Sequence, residues 1–199
     1  ADPAGGLFYG PKIMPRKVKI NTEEVRIVDR EKMADLVNQL ATRILDKNKD
    51  LSEVTLVGIR SRGTHLARRI AEKIFEKCGV RVPVGILDIT LYRDDLRARI
   101  DQPRLLRTEI PEPVEDRNII LVDDVLFTGR TIRAAMDGIM DMGRARIIQL
   151  AVLVDRGLRE LPIRANYTGK YVPTKSDQTI RVRFAEDGDE DGVILREIP

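Results

Sequence analysis

The sequence predicts an α/β fold: a mostly parallel central sheet flanked by helices, with a small C-terminal antiparallel hood. Three observations carry that expectation. Residues 54–59, 119–122 and 147–154 are unbroken or nearly unbroken apolar runs, as expected of strands buried on both faces. Between them lie segments whose apolar residues recur every three or four positions, the period of a helix with one buried face. After residue 166 the pattern changes to short strand-like pieces separated by turn residues.

Taken in order, Asp29 is a suitable cap for a helix carrying Met33, Leu36, Val37, Leu40 and Ile44 on one face. Residues 54–59 are the first buried strand, and Arg60-Ser61-Arg62-Gly63 is the turn after it. Leu66, Ile70 and Ile74 mark a second helix ending near Gly79. Residues 82–91 are expected to form a strand despite Pro83, because Val84, Ile86 and Ile89 are strand formers. Residues 92–117 hold three prolines, many charges and little periodicity; so long a connection in a compact domain is usually a functional lid. The strand at 119–125 leads into a helix with Ile132, Ala135, Met136, Ile139 and Met140 on one face, stopped by Gly143. A strand follows at 147–154, and short strands are expected around 167–172, 179–184 and 192–197 as the antiparallel flap.

The 199 residues suit one domain with a substantial core, and 42% hydrophobic with 34% charged content describes a soluble globular chain. Residues 1–20 are expected to be a flexible leader, with Met14 read as an original start, and 21–199 a single domain. No run approaches the roughly 18 apolar residues of a membrane span, and Cys78 and His65 are the only residues of their types. A disulfide framework, a zinc site and a Cys–His nucleophile are therefore disfavoured, and a reducing cytoplasm fits. The formal charge is only +3, but its sign alternates: residues 144–183 are predominantly basic, whereas Glu186-Asp187-Gly188-Asp189-Glu190-Asp191 is acidic.

Chemistry concentrates where strands end. Asp123-Asp124-Val125-Leu126-Phe127-Thr128-Gly129-Arg130-Thr131 sets two acids at the end of an apolar strand, then a Thr-Gly turn that opens a helix. Carboxylates accept hydrogen bonds from sugar hydroxyls, while a helix N-terminus attracts phosphate, so a sugar phosphate is the natural ligand. Arg60-Ser61-Arg62-Gly63 offers two guanidiniums beside a glycine that allows close backbone approach, which suits a pyrophosphate. Asp155-Arg156-Gly157 follows a third strand. The Gly-x-x-x-x-Gly-Lys spacing of a Walker site is missing.

These segments resemble the type I phosphoribosyltransferases, and more closely the PyrR family of pyrimidine operon attenuators that are also uracil phosphoribosyltransferases. The resemblance rests on residues 87–96, 122–131, 150–157 and 159–165, within a match from about Asp29 to Phe184. It implies the type I phosphoribosyltransferase fold, with a lid at about 92–117 and a hood at about 155–184. It also implies conversion of uracil and 5-phosphoribosyl-1-pyrophosphate (PRPP) to UMP and diphosphate, with Mg²⁺ reaching the site through PRPP and waters near Asp123 and Asp124 rather than on a dedicated protein site. Asp123, Asp124 and Arg62 would be catalytic. Ser61, Arg62, Gly63 and Arg93, with the residues from Asp123 to Thr131, would bind PRPP or UMP. Arg156 and the backbone near Ile180 would hold the base. Purine relatives carry an acid three residues after the second Asp, where this chain has Phe127; an apolar ring cannot act as a general base, which favours a uracil-like substrate.

Pyrimidine-leader RNA is the further partner that the resemblance implies, with Arg159, Arg164 and Lys170 on the binding face and a homodimer or homotetramer as the assembly. The first helix departs from the family pattern at Asn38, Gln39 and Thr42, and Leu158 stands where His is common. Two other readings stay open: an RNA-binding regulator that uses the site mainly as a sensor, and a phosphoribosyltransferase for another base.

Overall fold

The computed structural model describes residues 24–90, 92 and 108–198. Its elements are β1 (Glu24–Val28), α1 (Arg30–Lys47), β2 (Val54–Ile59), α2 (Arg62–Cys78), β3 (Val84–Leu87), β4 (Asn118–Leu126), α3 (Arg130–Met142), β5 (Ile147–Asp155), β6 (Tyr167–Tyr171), β7 (Gln178–Arg183) and β8 (Gly192–Glu197). The expected leader and the body of the lid, including Arg93, lie outside the described residues.

Local signals explain the helix limits. The Asp29 side chain accepts from the Lys32 N–H at 2.8 Å, satisfying one free donor of the first turn of α1. Gly79, at φ +73°, closes α2 in the left-handed conformation that a side chain would oppose.

Among the described residues β3, β2, β4, β5 and β6 form, in that order, a wholly parallel sheet. Alternation along β4 divides the core. Ile120 and Val122 face α1 and α2, while Ile119 and Leu121 face Ile132, Ala135 and Ile139 of α3. The predicted fold class is therefore present, but two of its edges differ from expectation. The strand expected from residue 82 spans only Val84–Leu87, because Pro83 lies before it and offers its carbonyl to the Leu56 N–H at 3.0 Å. The antiparallel sheet has the order β1-β8-β7, whereas β6, expected in that flap, runs parallel to β5 in the main sheet. Its place is taken by β1, which sequence reasoning missed; of its five residues only Val28 is fully buried, so it carries little hydrophobic signal.

Strand order also locates the site. From β2 the chain crosses to β3 on one side, and from β4 it crosses to β5 on the other. The order reverses between β2 and β4, so the loops leaving their carboxyl ends diverge and open a crevice there.

Candidate active site

Two cavities meet in that crevice. One, of about 480 Å³, is lined by Arg60, Ser61 and Arg62 after β2, Asp88 and Thr90 after β3, and Asp123 and Asp124 at the end of β4. The other, of about 380 Å³, is walled by residues 125–132 and Glu160. Val125 and Thr131 line both, so the two cavities adjoin and form the cleft.

The turn after β2 is pressed against β4 by glycine. A Cβ on Gly63 would stand 2.3 Å from the Val122 carbonyl oxygen, and one on Gly58 would stand 2.5 Å from Thr64 Cα. Only hydrogen at these positions lets the N-terminus of α2 lie directly beside Asp123. The Arg60–Ser61 peptide bond is cis. Gly63→Ala is expected to destabilise the fold by roughly 2–3 kcal/mol and to weaken binding in the cleft, since α2 must back away from β4. Chemical denaturation beside a ligand titration checks this, and an unshifted midpoint would contradict the close packing.

Asp123 is 8% exposed, and its Oδ1 accepts from the Asp124 N–H at 3.0 Å. Burial pushes the Asp124 carboxyl above the usual carboxylate range, against the opposing pull of the Arg62 charge, of a hydrogen bond shared with Asp123 and of the Val125 backbone N–H. An acid held uncomfortably in this way is stabilised by hydroxyl donors or by a cation entering the cleft.

Beyond the acids, Gly129 at φ +94° turns the chain into α3, and its missing Cβ leaves room for Leu161 and Ile163 at 3.3 Å. The first turn of α3 thus lines the cleft; its Arg130 N–H reaches Thr128 Oγ1 at 3.3 Å, and the positive end of the helix favours an anion there. The segment after β5 braces this loop from behind. Arg156 donates its N–H to the Leu126 carbonyl at 3.0 Å, and the N–H groups of Glu160 and Leu161 both reach the Thr128 carbonyl. Glu160 also pairs with Arg130 Nε at 2.6 Å.

Arg156 is only 4% exposed, and burial lowers its pKa. Its guanidinium donates to Thr174 Oγ1 at 2.9 Å, to Thr179 Oγ1 at 3.4 Å and to the Gln178 carbonyl, and lies 4.0 Å from the centroid of the Phe127 ring. That stack holds Phe127, itself 38% exposed, beside the phosphate loop. The Ile180 side chain is buried in the core, so only its backbone is near this platform, reached through Thr179.

The three basic residues expected on an RNA face part company. Arg159 turns inward: Nε donates to the Ile163 carbonyl, Nη1 to those of Phe127 at 2.6 Å and Gly157 at 2.9 Å, and Nη2 meets Asp155 at 2.5 Å. Arg164 is exposed, and Lys170 is half-buried on β6. Sequence reasoning missed Asp88, Thr90 and Glu160 as cleft residues. Asp88, a polar residue just past β3, was the one with a usable signal; its Oδ1 accepts from the Thr90 N–H and hydroxyl.

A switch-point cleft lined by an arginine-bearing turn, an acid pair and a Thr-Gly turn that opens a helix defines a class. The chain matches the phosphoribosyl transferase domain over residues 25–186 and belongs to that family. Within the class it is a member of the PyrR family. It is 52% identical over 174 residues to "Bifunctional protein PyrR" of Pelotomaculum thermopropionicum, covering 87% of this chain and 96% of that one. The protein of the same name from Enterococcus faecalis is 47% identical over 169 residues, covering 85% and 94%. Solved structures agree on the fold at much lower identity. A hypoxanthine phosphoribosyltransferase from Staphylococcus aureus aligns at TM-score 0.65 and 16% identity over 88% of this chain and 93% of that one. A Leishmania tarentolae HGPRT-ase in complex with GMP aligns at 0.65 and 17% over 87% and 95%. No helix among the described residues is long and apolar enough to cross a membrane.

Proposed function

We propose that the cleft transfers a phosphoribosyl group from PRPP to uracil, giving UMP and diphosphate, and that the protein also acts as a UMP-responsive RNA-binding attenuator of pyrimidine biosynthesis genes. The observation that carries the catalytic reading is that two adjoining cavities share Val125 and Thr131: the Arg62 turn and the acid pair line one and residues 125–131 line the other, which suits a ligand that carries pyrophosphate, ribose and 5-phosphate together.

In this reading residues 125–131 hold the 5-phosphate with backbone N–H groups and the Thr128 and Thr131 hydroxyls. Asp123 and Asp124 accept from the ribose hydroxyls. Arg62, with Ser61 and Gly63, takes the pyrophosphate. As the C1–oxygen bond breaks, its electron pair leaves with pyrophosphate and positive charge develops on the ribose, which the acid pair stabilises. The base nitrogen then bonds to C1, and its proton passes to the departing pyrophosphate. No group of three or more potential ligands that could hold a metal ion occurs among the described residues. The acid pair still suits a cation that arrives on PRPP oxygens, because burial already strains the charge on Asp124. Bound there, Mg²⁺ would neutralise pyrophosphate charge and so improve the leaving group.

Phe127 sets the base preference. It sits at the cleft with its ring stacked by Arg156, leaving an apolar surface where purine relatives carry an acid. A panel of uracil, hypoxanthine and guanine under saturating PRPP tests this, and preferred turnover of a purine would overturn the assignment.

For RNA, Arg164 is exposed and Lys170 half-buried, and both are available to phosphates, whereas the inward bonds of Arg159 suit bracing the phosphate loop better than contacting RNA. Arg164→Ala and Lys170→Ala are each expected to weaken binding of pyrimidine-leader RNA uniformly across sequences and to lower the salt slope by about one. Gel-shift titrations at several salt concentrations, with and without UMP, read this out. Binding indifferent to UMP in the parent protein would reduce the regulatory reading to polyanion attraction. The homodimer or homotetramer expected of the assembly is checked by sedimentation.

A further inference from the structure

The acidic run at 186–191 has no part in the mechanism above, yet it is one of the most heavily bonded segments of the molecule. It leaves β7 through a single 3-10 turn, Ala185–Asp187, and folds back onto α2. Arg69 of α2 makes a double fork with it, to Glu186 at 2.8 and 2.5 Å and to Asp191 at 2.9 and 2.8 Å, while its guanidinium lies 5.1 Å from the Phe184 ring centroid. Asp191 also accepts from the Ala185 N–H at 2.8 Å. Burial works against the Arg69 charge, but the two carboxylates outweigh it and leave its pKa raised. These bonds anchor the loop without any help from Asp187.

Asp187 is thereby free to do something else. One of its carboxylate oxygens lies 3.1 Å from His65 Nε2, and the other lies 3.6 Å from Arg62 Nε. His65, the only histidine of the chain, packs its ring on Phe184 with centroids 5.7 Å apart, so the group that meets Asp187 is itself fixed. Arg62 has a second carboxylate in reach of its charge, Asp124 across the cleft. The guanidinium expected to take pyrophosphate therefore feels both an acid of the site and an acid of the loop between β7 and β8.

We infer that Asp187, oriented by His65, is a positioning residue: it holds Arg62 on the pyrophosphate side of the cleft and keeps it from collapsing onto Asp124. Without the outer carboxylate, Asp124 still draws on Arg62, and an Arg62–Asp124 pair would withdraw the acid from ribose and the guanidinium from pyrophosphate at once. The contact at 3.6 Å is an ion pair and not a hydrogen bond, so Arg62 can give it up when a more highly charged pyrophosphate arrives. The inference rests on the PRPP reading of the cleft.

Asp187→Asn keeps the size of the side chain and removes its charge. It is expected to raise KM for PRPP about three- to ten-fold, with a smaller change in kcat, because the partly exposed ion pair is modest and acts on binding. Calorimetric titration with magnesium pyrophosphate should show a parallel loss of affinity, and Asp187→Glu should restore most of it. The melting temperature should stay near that of the parent, since the Arg69 forks remain. His65→Phe, which keeps the packing on Phe184 and removes the ring nitrogens, should shift KM in the same direction by less, and it provides the test if Asp187→Asn fails to fold. Parent-like KM and pyrophosphate affinity in a folded variant would overturn the positioning role alone. A parent protein that binds neither PRPP nor pyrophosphate would overturn the reading of the cleft and this inference together.

Discussion

The double variant Asp123→Asn, Asp124→Asn is expected to lose about 10³-fold or more in the rate of UMP formation, because both groups that stabilise charge on the ribose are removed together. Its stability should move the other way. The folded pKa of Asp124 is raised above its unfolded value by burial, so ionising it at neutral pH costs the folded state free energy. That cost is fully present above the folded pKa, shrinks as pH falls through it, and vanishes below the unfolded pKa, where both states are protonated. Asp124→Asn alone should accordingly melt at or above the parent temperature at pH 7, with the difference disappearing in acid. Thermal melts from pH 7 down to about 3.5, the bottom of the unperturbed carboxylate range, together with steady-state kinetics, check both halves. Retained activity in the double variant would mean that the ribose lies elsewhere. A variant that melts well below the parent at pH 7 would mean that the acid pair supports the fold.

Arg156 should show the opposite pattern, in which stability and base recognition fall together. Its guanidinium supplies donors to Gln178, Thr174 and Thr179 while backing the Phe127 ring. Arg156→Ala leaves those acceptors short of partners in a buried place, for an expected loss of about 3 kcal/mol. It also frees Phe127, so KM for uracil should rise by a larger factor than KM for PRPP, whose phosphate loop keeps its contacts with Glu160 and Leu161. Arg156→Lys retains a cation but neither the fork nor the planar stack, and should fall between the two. Denaturant midpoints and the two KM values measured on the same preparations decide this. An unchanged uracil KM in a folded Arg156→Lys variant would remove Arg156 and its stack from base recognition.

Much of this architecture was legible before any coordinate. Ile119, Ile120, Leu121 and Val122 are apolar without alternation because β4 is covered on both faces, and that demand is written directly into its residues. Helix limits were readable at Asp29 and Gly79 because capping is chemistry between near neighbours. The cleft was readable because its three loops each follow a strand, and strands of a parallel sheet all present their carboxyl ends to one side.

What escaped depends on distant partners. The residues of β6 carry nothing that distinguishes a strand added parallel to β5 from one folded into the flap; the choice lies in which edge is open when the chain arrives. β1 gives up its identity only when β8 pairs with it across most of the chain. Arg159 is basic and lies in the hood segment, which suggested RNA, but the carbonyls of Phe127, Gly157 and Ile163 converge to bind it inward.

By itself, then, the sequence determined the class of fold, the succession of its buried strands along the chain and the loops that line the cleft. Burial, capping and turn geometry act over a few residues, and so leave their mark in consecutive letters. Only the tertiary structure decided which side chains face those loops from elsewhere: Arg156 under Phe127, Glu160 against Arg130, and Asp187 beside Arg62 and His65. Those choices are made by charges and rings brought together from far apart in the chain, and a linear sequence does not record such distances.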